Sequence, residues 1–160
     1  MLSKIMPISR VVMIIAVAAL AIGIVFVYQG VSKANAITGQ MREEAVPASS
    51  FIENAPAGDI IDTAAEAQKA ADTIKTHRQN IAPNYTALLA DSGGRYDPTN
   101  PKHLSYTQAL NMENYLYMGV FALGFTQAVT VIGVFMILMG FALGAVWLAL
   151  RKRKTLASTS

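Results

Sequence analysis

His77 and His103 are the two imidazoles of the chain. With a carboxylate such as Glu113 they make the donor set of a two-His-one-carboxylate iron site, which suits non-haem oxygen chemistry. Their spacing gives that site no support, because they lie 26 residues apart on different elements. His77 has a plainer use near a helix end, where a cation favours the negative pole of the helix dipole. With no cysteine there is no disulfide framework, thiolate nucleophile or thiolate metal site. There is no G-x-S-x-G, and the serines cluster in turn-rich stretches. Gly93-Gly94 lacks the lysine and flanking pattern of a phosphate loop and reads as a turn. Asn84-Tyr85-Thr86 has the form of a glycosylation sequon. No residue is therefore assigned a catalytic, metal-binding or cofactor-binding role, and no cofactor is called for.

The residue types that do recur with a meaningful period are small ones. Ala16, Gly23 and Gly30 repeat every seven residues, with Ala19 one turn before Gly23. Gly119, Thr126, Gly133 and Gly140 repeat in the same way further on, and Gly140 with Gly144 forms a small-xxx-small pair. In lipid, helices associate through close backbone approach, and such stripes permit it. They read as helix-packing positions, whether against the other helix of the same chain or against a second protomer. Gln127 and Thr130 are polar positions in the second apolar run and are expected to hydrogen-bond within a helix bundle.

The elements that carry those stripes follow from hydropathy. The mean hydropathy is +0.38 with 53% hydrophobic and 14% charged residues, which excludes an ordinary water-soluble domain and a disordered chain. Between Arg10 and Lys33 lie 22 uncharged residues, enough to cross a bilayer core of about 30 Å. A cleaved signal peptide competes with this reading, since Ala34-Asn35-Ala36 has a small-x-small cleavage form; the apolar run is longer than an h-region of about 7–15 residues. Asn114 to Leu150 is uncharged over 37 positions, or about 55 Å of helix, so only its later part, from near Thr130, is needed to span. Arg10 at one end and Trp147, Arg151, Lys152, Arg153 and Lys154 at the other read as membrane-interface anchors.

All ten acidic residues lie between Glu43 and Glu113, whereas six of the thirteen basic ones lie in the terminal arms. The basic pI of 9.3 therefore belongs to the tails, which removes the main support for a nucleic-acid partner. By the positive-inside rule both termini are cytoplasmic and the middle segment is outside. The expected division is a cytoplasmic arm (1–10), a first transmembrane helix (11–32), an extracytoplasmic helical segment (33–113), a long apolar helix containing the second span (114–150) and a cytoplasmic basic tail (151–160).

Within the middle segment, residues 37–58 read as irregular, with 41–46 a short strand or helical turn. A helix from Asp62 to about Ile81 follows, opened by a Thr63/Glu66 capping box. Ile60, Ala64, Ala67, Ala71, Ile74 and Ile81 form its apolar face. Glu66–Lys69 and Asp72–Lys75 are i,i+3 pairs on its solvated side. Residues 83–103 read as a linker, with turn chemistry at 91–94 and 97–101. Ser105 and Gln108 have capping-box spacing, so the last helix is expected to start near Ser105. Tyr106, Leu110, Tyr117, Val120 and Phe121 are its candidate contacts with the Ala-rich helix. The fold class is thus an all-α membrane protein with two transmembrane helices and a small helical extracytoplasmic segment, the second helix extended outward.

Gln40-Met41-Arg42-Glu43-Glu44-Ala45-Val46, then Gly58-Asp59-Ile60-Ile61-Asp62 running to Lys75-Thr76-His77-Arg78, then Asn111-Met112-Glu113-Asn114-Tyr115-Leu116 entering a Gly-rich span, stand in a telling order. Over roughly 41–150 this order resembles a family of short bacterial two-span membrane proteins often labelled "aromatic ring-opening dioxygenase". The resemblance implies the architecture and a bacterial cytoplasmic membrane location, and the label implies an iron-dependent enzyme. The matched positions supply no ligand set for iron, so the architecture alone is carried forward. The expected role is non-catalytic: an accessory or assembly subunit, or an envelope-associated protein. Its partners would be the lipid bilayer and another membrane protein or a second copy, with no small-molecule ligand indicated. A small sensor working through a partner helix is the alternative.

Overall fold

A computed structural model describes residues 8–157, with side chains described from 8 to 152. The described residues are 80% helical, and among them no strand forms; two long apolar helices are able to span a membrane, with a short helical segment between them. The elements are α1 (Ile8–Glu44), a 3-10 turn (Ala48–Ser50), α2 (Ala64–Ile81), α3 (Tyr85–Ala90) and α4 (Pro101–Ala157).

Three boundaries differ from the sequence expectation. Residues 37–44 are the last turns of α1 rather than irregular chain or strand. Met41 on that stretch packs against the cluster of Ala48, Ile61, Ala67 and Ala70. Ala45, in the left-handed region at φ 47°, then ends the helix, with its N–H donating to the Arg42 carbonyl. At the other helix, Pro101 stands in the first turn, where its missing N–H costs nothing. Asn100 accepts from the Lys102 N–H in the manner of an N-cap, so α4 starts four residues before Ser105. The same helix continues through the basic tail to Ala157. The linker also contains a helix: Asn84 caps α3 by accepting from the Ala87 N–H, so the sequon asparagine has a structural use.

The chain divides into two compact units. One comprises the described parts of Met1–Lys33 and Thr126–Ser160, the other Ala34–Phe125. The second is built around α2. Thr63 accepts from the Glu66 N–H while the Glu66 carboxylate accepts from the Thr63 N–H, which closes the predicted capping box. Ala67 and Ala70 pack with Ala48 and Ile61 against Leu116 and Val120. A short bridge, Pro47 opposite Ile60, ties the segment after α1 to the entry of α2. Beyond it, Ala82, Leu88 and Tyr106 form a second cluster with Ile81 and Leu110. Phe121, expected among these contacts, is 75% exposed. Neither predicted i,i+3 ion pair closes among the described residues. Glu66 folds back onto the cap, and Asp72 accepts from Gln68 and from the Tyr117 hydroxyl.

Candidate functional site

In the unit that contains the two apolar spans, the small residues set the spacing between α1 and α4. A Cβ on Gly23 would lie 2.7 Å from the Gly133 carbonyl oxygen and 2.9 Å from the Ile137 nitrogen. A Cβ on Gly133 would lie 2.7 Å from the Val27 nitrogen. Gly140 faces Ala16 and Leu20, and Gly30 faces the Thr126 carbonyl and the Thr130 side chain. The contacts form three antiparallel rungs, Ala16/Gly140, Gly23/Gly133 and Gly30/Thr126. Each seven-residue step up α1 matches a seven-residue step down α4. Ala16, Gly23, Gly30, Thr126, Gly133 and Gly140 are all buried. The partner of each stripe is thus the other helix of the same chain.

Other predicted positions fall elsewhere. Ala19 is half-buried between rungs. Gly144 has no atom within 4 Å of a Cβ: the rungs advance by seven, so four residues beyond Gly140 lies off the contact line. Gly119 is likewise open and belongs to the other unit. Thr130 donates its hydroxyl to the Thr126 carbonyl, 2.9 Å away on its own helix, and Gln127 is exposed. Arg10 and Lys152 are exposed, and the Arg151 guanidinium lies 5.6 Å from the centre of the Trp147 ring. The side chains of Arg153 and Lys154 lie outside the described residues.

In the Ala34–Phe125 unit, Arg78, Tyr106 and Glu113 are committed to one another. Arg78 donates from Nε to Glu113 Oε2 at 2.7 Å and from Nη1 to the Tyr106 hydroxyl at 2.5 Å. All three are buried. The bond to Glu113 raises the Arg78 pKa further, so the guanidinium stays charged. His103 is completely buried. Its Nδ1 accepts from the Asp97 N–H at 2.9 Å, so that nitrogen carries no proton and Nε2–H donates to the Leu88 carbonyl at 3.1 Å. His77 is exposed. Among the described residues no group of three or more potential metal ligands converges. His77, His103 and Glu113 are therefore not brought together.

Sequence reasoning gave Arg78 no role, quoting it only as the end of the Lys75-Thr76-His77-Arg78 stretch. A signal was present: Arg78 is seven residues beyond Ala71 and four beyond Ile74, on the apolar face of α2. A charge on that face requires a buried counter-charge, and Glu113 is it.

One large concavity also lies in this unit. It has a volume of about 980 Å³ and runs between the end of α1, the 46–61 segment and the 108–119 stretch of α4. Its floor is apolar, with Met41, Phe51, Ile61 and Leu116, and Gly119 also lines it. Glu43 and Glu44 stand at its lip. Next to it, Tyr115, Met118, Phe121 and Phe125 form an exposed apolar strip of α4. A comparison of the chain with protein-family models, curated proteins and solved structures gives no match to any of them.

Proposed function

We propose that this protein is a non-catalytic subunit of a bacterial cytoplasmic membrane, acting by packing its helices in the bilayer and binding another membrane or envelope protein with its Ala34–Phe125 unit. The observation that carries the reading is the groove and strip on α4. Tyr115 is 74% exposed and Phe121 75%, and large apolar side chains left so open mark an interaction surface. Basic residues flank both apolar runs on one side, so the positive-inside rule favours cytoplasmic termini and an outer Ala34–Phe125 unit. The glycine rungs support a retained first helix. A leader destined for removal has no need of glycines matched one for one to the second span.

The test is gentle extraction of the tagged protein from its native membrane, with mass and co-purifying chains read by native mass spectrometry. A stoichiometric partner is the expected result. A lone monomer whose Ala34–Phe125 unit is fully protected from hydrogen exchange would overturn the reading.

A further inference from the structure

The groove at the end of α1 has a chemistry that selects its occupant, and the inference drawn from it rests on the partner-binding reading above. Its floor is apolar, and no lysine or arginine lines it. Arg42, beside Met41 and Glu43 in sequence, does not line it and is held in an ion pair with Asp62 at 2.6 Å. Glu43 and Glu44 remain at the lip, and among the described residues neither has an ion-pair partner. An anionic amphiphile, whether fatty acid or phospholipid, would bring its head beside two carboxylates with no cation to meet it. Like charges placed together across an interface cost binding, and opposite ones favour it.

Gly119 adds a second observation. It sits inside a helix, where glycine is about 1 kcal/mol worse than alanine. A Cβ there, as at Gly124 and Gly144 of the same helix, would meet nothing within 4 Å, so among the described residues no contact requires the absence of a side chain, and of the three only Gly119 lines the groove. The space it leaves opens into the groove, where an incoming backbone can approach α4 closely.

We propose that the groove binds an amphipathic helix of a partner protein, one whose apolar stripe is flanked by lysine or arginine. The stripe lies on Met41, Phe51 and Leu116, crosses Gly119, and places its basic residues against Glu43 and Glu44.

The probe is a synthetic amphipathic helix with a leucine and alanine stripe flanked by lysines, compared with its twin bearing glutamate at every lysine. Binding to the full chain in a nanodisc of uncharged lipid is read by fluorescence anisotropy. The lysine peptide is expected to bind at least about tenfold tighter than its twin. Gly119→Leu, which fills the space and improves helix propensity, should abolish binding without lowering thermal stability. Glu43→Lys with Glu44→Lys should reverse the preference. Equal binding of the two peptides, or binding indifferent to Gly119→Leu, overturns the proposal. So does displacement of the probe by a long-chain fatty acid, which would make the groove a lipid site. A homodimer lost in Gly119→Leu would make the occupant a second copy and overturns it as well.

Photo-crosslinkers at Tyr115 and at Gln79 in the native membrane separate this proposal from the reading beneath it. A partner caught only at Gln79 leaves partner binding standing and removes the groove. A partner caught at neither removes both. One caught at Tyr115 through a segment with the stated pattern supports both.

Discussion

Gly23 and Glu113 are the two positions where a single side chain has the least freedom to change. Gly23 is bounded by backbone atoms of α4, which cannot rotate out of the way. Gly23→Leu should therefore destabilise the α1/α4 pair by about 1–3 kcal/mol or more, while Gly144→Leu should leave it within about 0.5 kcal/mol. Denaturant unfolding in micelles, followed by a fluorophore pair across the two helices, measures the difference. Among the described residues Glu113 is the one carboxylate paired with the buried Arg78. Glu113→Ala leaves a buried guanidinium with the Tyr106 hydroxyl alone and should cost about 3–5 kcal/mol. The double change Arg78→Met with Glu113→Leu should recover most of it, and thermal melts of the three variants check the sign. Gly23, Gly30, Gly133 and Gly140 were legible in the sequence from their seven-residue period, although the same period also took in Gly119, which lies open. The Arg78–Glu113 pair was not, since its members lie 35 positions apart and each has an ordinary solvated use.

At the level of elements, the capping box of α2 was readable because it is local chemistry between Thr63 and Glu66. Thr63→Ala should weaken α2 by about 1 kcal/mol, seen as faster hydrogen exchange at the amides of its first turn. The end of α1 and the start of α4 were misread for physical reasons. Asn35, Thr38 and Gly39 interrupt an otherwise helix-favouring stretch at 34–44, and packing of Met41 carries the helix past them. Pro101 is a breaker in a helix interior but suits a first turn, and sequence alone does not say which position it holds. Three carboxyls are held below their ordinary value of 3.8: Asp72 by Tyr117 of α4 and Gln68, Asp91 by Lys102 of α4, and Asp97 by Thr99 within its own loop. A lowered folded value means a contribution fully present above the ordinary value and lost as the pH falls through the lowered one. Below about pH 4 the Ala34–Phe125 unit should loosen, whereas the glycine rungs, which contain no ionisable group, should not. Hydrogen exchange of the two regions across that range checks it. Rungs that loosen in parallel would contradict it.

For the molecule as a whole, the division of charge is the basis of the proposed orientation, with cytoplasmic termini and an outer middle segment. The native chain has no cysteine, so single cysteines report on sidedness without a background. In intact cells a membrane-impermeant maleimide should label Ser49→Cys. It should label Ser158→Cys only after permeabilisation. The opposite pattern would reverse the orientation. The rungs between α1 and α4 carry a further consequence, one of phase. Three contacts spaced by seven residues stay in line only if the helices wind around each other with a left-handed twist, because a straight helix drifts by about 20° every seven residues. One residue inserted between Gly23 and Gly30 would swing Gly30 through about 100° and carry it off the seam, whereas an insertion of a full seven would bring the seam back into line. Lengthening of these spans is thus quantised, and evolution of the pair can add or remove whole heptads more readily than single residues.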